Sequence, residues 1–423
     1  MATDQPAVPL PARTSVGALA YAAVYAASDA AARVAGGGAV RLDPERIAVA
    51  YASERHLRIA GEAPPAWAAL SGFFRTSDGW VRTHGNYPHH ASALRRGLGL
   101  PPDADGEALA AALAGVPAGV AVQAVSRSGG LCVAVNHEKP DVDDELRTTR
   151  LVEDRRLGAA PLKPGPGGPA DAPLRGIRVL DLTRVIAGPV GTRTLALLGA
   201  DVLRIDPPGM PEIAWQHLDT GHGKRSAVLD LASSPGRARF EALLADADVV
   251  ALGYRPAALA RLGLSPAQLA QRRPGVVVVR HTAWGDPDRR GFDSLVQASS
   301  GISWIESADG TRPGALPAQA LDHSAGYLLA AAAIDLLARR AQEGGSWLAE
   351  TSLRRIAAEL LGMPRTAEPE TAASFDPAPH LQTFDVDGAL VTTAAPAVSY
   401  DGGPVAFAPP RPWGQDEPSW LAR

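Results

Sequence analysis

Cys132 is the single cysteine in 423 residues, which excludes a disulfide framework and fits a reducing cytoplasm. No sign of charge dominates. The 41 Lys and Arg face 45 Asp and Glu, leaving a net charge of −4 and a pI near 6.2. Without a basic field, nucleic acid is not an expected partner. The opening MATDQPAVPLPARTS lacks the basic-then-apolar layout of a secretion signal. No apolar run approaches the roughly 20 residues of a membrane span, so a cytoplasmic protein without membrane contact is expected. Catalytic signatures are missing too. There is no G-x-S-x-G to anchor a serine hydrolase. In the turn VIAGPVG, Pro189 stands where the dinucleotide fingerprint G-x-G-x-x-G needs an adaptable backbone. That disfavours a nicotinamide or flavin enzyme, although Asp206 ends the following strand as such an enzyme's acid would. Ala, Gly, Pro and Arg are abundant throughout, so agreements resting on alanine carry little weight.

At this length two or three domains are expected. The clearest boundary is LKPGPGGPADAP, Leu162 to Pro173, where Pro and Gly alternate with nothing to bury, as in an extended linker. Beyond it come compact units: GIRVLDL, ADVLRID, DVVAL and VVVVR as strands, and GPVGTRTLALLG, SPGRARFEALLADA and SPAQLAQRRPG as helices. Strands alternating with helices at this spacing predict a parallel, doubly wound α/β sheet. The expected division is residues 1–160, a linker at 161–173, a Rossmann-like domain at 174–345, and a C-terminal segment at 346–423 that packs back on it.

A repeat supplies an internal control. TSVGALAYAAVYAASDAAARVAGG, from Thr14, lies without gaps over HSAGYLLAAAAIDLLARRAQEGG, from His323. One constant offset pairs Ser15 with Ser324, Gly17 with Gly326, Gly36 with Gly345, and Arg46-Ile47-Ala48 with Arg355-Ile356-Ala357. This reads as a partial duplication. Asp322 is the last acid before a long helix that the pattern starts at Ser324. As an N-cap it would have an ordinary structural role. The first copy has Arg13 at that position, with Thr14 or Ser15 free to cap, so the helix does not need an acid there. A carboxylate at this spot also sits in the positive end of the helix field, ready as a nucleophile.

Five blocks in order, GIRVLDLTRVIAGPVGTRTLALLGADVLRIDPPG, GHGKRSAVLDL, GYRPAALARLGL, RRGFDSLVQASSG and ALDHSAGYLLAAAAIDLLARR, resemble the class III CoA-transferases of the formyl-CoA and carnitine type. The likeness runs from about Leu174 to Leu353. FFRTSDGWVRTHGNYPHHASALRRGLGLP is similar to the family's smaller α/β domain. The resemblance implies a Rossmann-like large domain plus a small one, often in interlocked homodimers. It implies coenzyme A as a substrate rather than a resident cofactor, no metal, and an acyl-CoA and a small carboxylic acid as partners. It makes Asp322 the nucleophile of an aspartyl anhydride and aspartyl-CoA route, with backbone N–H groups at the helix start holding each oxyanion. Val185, Ile186 and Ala187 would touch the CoA adenine and pantetheine, Leu229 and Tyr254 would wall that site, and Arg261 would meet a CoA phosphate, with Arg290 as a further phosphate candidate. On residue pattern alone, Val185, Ala187 and Leu229 read as core, and Arg261 equally as a solvated helix face. Lys224 and Arg225 are open to both phosphate and surface readings. Asp293 and Gln297 read as a structural hydrogen-bond set.

The chain also departs from the family. Gly253 stands where an Asn is common, Ala283-Trp284-Gly285 where Gly-Phe-Gly is common, and no glycine-rich covering loop follows Leu353. One rival is an α-methylacyl-CoA racemase, whose second acid/base, a His, is replaced by Phe292. Another is a non-catalytic CoA-ester-binding subunit. HGNYPHH, with His84, His89 and His90, reads as a surface loop rather than a metal site.

Overall fold

The computed structural model describes residues 7–369 and 374–422. The Ala-rich segment near the N-terminus forms a helix, Val16–Val34, followed by a shorter helix, Pro44–Tyr51, and a two-residue strand β1 (Arg58–Ile59). Next comes the small domain. Its antiparallel sheet of β2 (Gly72–Arg75), β3 (Trp80–Thr83) and β4 (Cys132–Ala134) closes with three helices around Leu70, Val81, Leu94, Leu109, Leu113 and Val125.

The predicted parallel sheet is present and larger than expected. Its strands are β5 (Glu153–Gly158), β6 (Arg178–Leu182), β7 (Asp201–Asp206), β8 (Arg225–Val228), β9 (Val249–Leu252), β10 (Val277–Thr282) and β11 (Ser346–Ser352), in spatial order β5-β11-β10-β9-β6-β7-β8. All neighbours pair in parallel except β5, which runs antiparallel along β11. Val277 to Val279, Val249 and Val250 are buried because helices cover both faces, which is why these strands read as unbroken apolar runs. From β6 to β11 the order is that of a dinucleotide-binding sheet, and its reversal between β6 and β9 opens a crevice at their carboxyl ends.

Two expected boundaries need correction. A cut at residue 345 severs β11 from its parallel partner β10, and a cut at 160 severs β5 from β11. Residues 1–160 are not one unit either, since the helix Val16–Val34 belongs to the core of the large domain, packed on the long helix Ala320–Glu343. The segment 161–173 lacks regular structure and lies on the large domain, with the Pro164 carbonyl facing Arg340 and the Ala170 carbonyl accepting from Tyr400. The C-terminal residues pack on the large domain through Trp413, which donates to Asp206, and Trp420, which donates to the Leu243 carbonyl. A hairpin of β12 (Leu381–Val386) and β13 (Ala389–Ala394) takes β1 as its third strand.

The helix Ala320–Glu343 has the length and composition to cross a bilayer, contrary to the sequence reading, yet 83% of its apolar window is buried inside the protein. It crosses the helix Ala187–Leu197 where Gly326 meets Gly191. A β-carbon on Gly326 would lie 2.6 Å from the Ala187 carbonyl oxygen and 2.7 Å from Val190 Cβ. Gly326→Ala is therefore expected to lower the unfolding free energy by about 1–3 kcal/mol in urea denaturation. An unchanged midpoint would contradict this close approach.

Candidate active site

The long helix starts at Ala320, four residues earlier than its pattern suggested, so Asp322 lies inside the first turn. Its N-cap residue, Gln319, makes no capping bond through its side chain. The cap comes from elsewhere: Asp293 Oδ2 accepts the backbone N–H of Asp322 at 3.0 Å. Gln297 donates to Asp293 Oδ1 and accepts the Leu316 N–H at 2.9 Å, so these two residues form the expected structural set. In the N-terminal helix, Val16–Val34, neither Thr14 nor Ser15 caps through a side chain. Glu306 accepts the N–H groups of Arg13 and Thr14, each at 2.9 Å, in the segment that precedes that helix.

Because Asp293 takes this backbone donor, the Asp322 side chain is not spent on capping. Among the described residues no hydrogen bond or ion pair reaches its carboxylate, which lines a cleft of about 470 Å³ and a narrow space beside it. Burial, and then the charge of Asp293, raise the Asp322 carboxyl well above the usual carboxylate range. Burial pushes Asp293 up to about 6. Of the helix-start N–H groups expected to hold an oxyanion, that of Asp322 is taken by Asp293.

The cleft lies at the carboxyl ends of β6, β7, β9 and β10. Val185 has a φ of 71°, a left-handed conformation that costs a β-branched residue strain. Its N–H is held by Glu212 at 3.1 Å. Glu212 also receives Arg204 at 2.9 Å, Arg184 at 3.2 Å and the Tyr87 hydroxyl. Against burial, which would raise it, Arg204 and Arg184 hold this carboxyl down to about 2. Asp206 is occupied as well, by Arg204 at 2.7 Å, Tyr254 at 3.1 Å and Trp413 at 2.8 Å, leaving no room for a ribose hydroxyl.

The structure gathers some of the expected contacts and separates others. Val185, Tyr254 and Arg290 line the cleft, and Ile186 lines the narrow space beside it. Ala187 does not: its carbonyl packs against Gly326 inside the helix crossing. Leu229 is half-buried against the apolar core on the other side of the sheet. Arg261 ends a short helix on the exposed surface, outside the cleft. Lys224 is buried, with Nζ 3.1 Å from Asp181 and 2.6 Å from Thr192, and Arg225 pairs with Asp201 at 2.7 Å, so both are structural.

Sequence reasoning missed Arg184, Arg255 and Arg289, which line the cleft with Arg290, and it misplaced HGNYPHH. His84 and His90 are buried, not on a surface loop, and burial pushes both imidazoles down to about 3. His84 stacks on Phe292 at 3.7 Å, while Tyr87 and His90 form the small domain's wall of the cleft. The family departures have local causes. A β-carbon on Gly253 would lie 2.6 Å from the His281 ring, so His281 fills the space of a larger side chain. Trp284 donates to the Arg290 carbonyl at 2.9 Å and lies 3.6 Å beneath the Arg289 guanidinium, shaping the loop that carries both arginines.

Residues 174–390, just over half of the chain, match the profile of CoA-transferase family III. "Probable fatty acyl-CoA transferase Rv3272" of Mycobacterium tuberculosis is 30% identical over 224 residues, 49% of this chain and 57% of that protein. "Acetyl-coenzyme A transferase nodX" of Hypoxylon pulicicidum is 35% identical over 43% of this chain and 32% of its own length. "Succinyl-CoA--L-malate CoA-transferase alpha subunit" of Chloroflexus aurantiacus is 29% identical over 54% of this chain and 59% of its own. This chain thus spans between about a third and three fifths of these relatives. A crystal structure of the hypothetical protein Rv3272 from M. tuberculosis has a TM-score of 0.42 and 32% identity, covering 45% of this chain and 56% of that one. The crevice at the strand ends, the five sequence blocks and the profile match agree: this chain belongs to CoA-transferase family III.

Proposed function

We propose that this protein moves coenzyme A from an acyl-CoA donor to a carboxylic acid acceptor, with Asp322 as the nucleophile. The observation that carries this is the Asp322 carboxylate itself, facing an arginine-lined cleft without a partner among the described residues while another acid caps its helix. A carboxylate oxygen of Asp322 attacks the donor thioester carbon, the C–S bond breaks, and the CoA thiolate leaves a mixed anhydride. The thiolate then attacks the Asp322 carboxyl carbon, releasing the donor acid and forming an aspartyl-CoA thioester. The acceptor carboxylate attacks that thioester and expels the thiolate, and the thiolate attacks the acceptor acyl carbon to free Asp322. The raised Asp322 carboxyl first gives its proton up to solvent through the open cleft, and from the ionised carboxylate onward no step gains or loses a net proton. With the Asp322 N–H taken by Asp293, side chains lining the cleft add oxyanion donors, and Arg184, Arg255, Arg289 and Arg290 offer charge to the CoA phosphates.

We also infer an internal duplication that has lost its chemistry in the first copy. The offset that lays Ser15 on Ser324 lays Val34, the end of the N-terminal helix, on Glu343, the end of the long one. It lays Pro44 on Leu353, where the next helices start, and the side-chain caps Asp43 and Ser352 on each other. Arg13 and Asp322 match in having their N–H groups held by an outside carboxylate, and differ in the side chain.

Asp322→Ala and Asp322→Asn should each reduce transfer by about 10³-fold or more. Hydroxylamine added after acyl-CoA should leave a hydroxamate on Asp322, read by peptide mass; unchanged turnover in Asp322→Asn would sink the mechanism. Arg290→Gln should raise the KM for acyl-CoA by about tenfold, whereas Arg261→Gln should leave it unchanged, as steady-state kinetics would show. The raised Asp322 carboxyl has a consequence for stability. Below the unfolded value of about 3.9 both states are protonated and the residue contributes nothing. As pH rises from there to the folded value, ionisation favours the unfolded chain. Asp322→Asn should therefore melt above wild type at neutral pH, with the difference vanishing towards pH 4 in thermal scans across pH.

A further inference from the structure

The narrow space beside Asp322 has a volume of about 40 Å³, room for roughly two or three waters. Three buried polar atoms belong to its walls, Gln216 Oε1, Asp219 Oδ1 and His323 Nδ1, and none has a hydrogen-bond partner among the described residues. Their residues are 6%, 4% and 1% exposed. Buried polar atoms are costly unless paired, so three of them around one small space mark a polar occupant. Their chemistry says which. The amide and carboxylate oxygens only accept hydrogen bonds. Burial pushes His323 down to about 3, so its imidazole is neutral and can donate from Nδ1. Water fits that set, donating to the two oxygens and accepting from the ring. A carboxylate does not, because two of the three atoms would repel it.

Glu54 stands on the same wall. No side chain among the described residues donates a hydrogen bond to it, and Arg55 lies 3.7 Å away. Burial, and then the charge of Asp219, push its carboxyl up to about 7. Glu54, Trp67 and Gln319 also line a further cavity of about 390 Å³ that Asp322 does not reach. Asp322, for its part, lines both the narrow space and the arginine-lined cleft. Acyl-CoA and water therefore approach its carboxyl group from different spaces.

Resting on the aspartyl route proposed above, we propose a second activity for this site, hydrolysis of acyl-CoA, by a water held at Gln216, Asp219 and His323 with Glu54 as its general base. Asp219 is not the base, since its Oδ2 already receives Ser53 at 2.6 Å and it does not line the further cavity. The water oxygen attacks the carbonyl carbon of the Asp322 thioester while Glu54 takes one of the water protons. The adduct collapses, the C–S bond breaks, and CoA leaves as the thiolate. Asp322 returns as the carboxylic acid, keeping the other water proton. Glu54 gives its proton to solvent through the further cavity, and the thiolate takes one from solvent. With the donor acid already released, one thioester and one water have become one acid and one thiol.

The test supplies acetyl-CoA or butyryl-CoA in heavy-oxygen water with no acceptor acid, following thiol release and the mass of the Asp322 peptide. Wild type should release thiol steadily and carry heavy oxygen in the Asp322 carboxyl, where water enters on this route. Asp322→Ala should do neither. Glu54→Gln should lower thiol release by about 10²-fold or more, while transfer to an added acid stays near wild type. Gln216→Met removes one acceptor of the water and leaves the base, so it should lower release by about 3- to 10-fold. A poorly folding Glu54→Gln therefore does not decide the matter. Heavy oxygen found only in the released acid, or thiol release unchanged in both variants, overturns the water site even if transfer persists. A wild type that transfers CoA but releases no thiol without an acceptor overturns it too. Labelled hydrolysis that depends on Glu54, in a protein that transfers to no acid, upholds the water site and overturns the transfer reaction instead.

Discussion

The backbone N–H of Asp322, in the first turn of the longest helix, ends on the carboxylate of Asp293. An aspartate in the first turn of a helix ordinarily folds back to satisfy such donors itself. Here the task is taken by a residue on another helix, held in turn by Gln297 and through it by the Leu316 N–H. The Asp322 side chain is left facing the cleft, buried and without a counter-ion. Two acids in contact, one committed to structure and one kept free, define the geometry of the site.

Around that pair the sheet does what its topology dictates. The reversal of strand order between β6 and β9 opens the crevice, and the loops leaving both strands line it. The left-handed Val185 is strained and is tied down by Glu212, whose own charge is balanced by two arginines. Glu212 also takes the hydroxyl of Tyr87, which fastens the small domain to the large one at the cleft.

Much of this was legible in the sequence, for physical reasons. Strands covered on both faces leave apolar runs, and helices between them leave their period, so the four strands β6, β7, β9 and β10 could be read, while β5, β8 and β11 could not. Asp322 stood out because an internal copy carries Arg13 in its place. The start of its helix could not be read, because the cap comes from Asp293, 29 residues away, rather than from a neighbour. The structure places Arg261 outside the cleft, which the sequence could not show, because a cation at the end of a short helix looks the same whether it faces a cleft or solvent. Glu212 was missed, and HGNYPHH was read as surface, for a related reason. Tyr87 donates to Glu212 across 125 residues and His84 stacks on Phe292, and local composition carries no trace of such pairings.

The pairing of β1 with β13 and the packing of the N-terminal helix on the helix Ala320–Glu343 carry a consequence for biosynthesis. While the ribosome is still making the middle of the chain, only the small domain, with its own core, holds all the residues it needs. The first helix, greasy on its inner side, waits for a docking surface encoded more than three hundred codons later. Its bare apolar side during that wait is the kind of surface that draws nascent chains into aggregation.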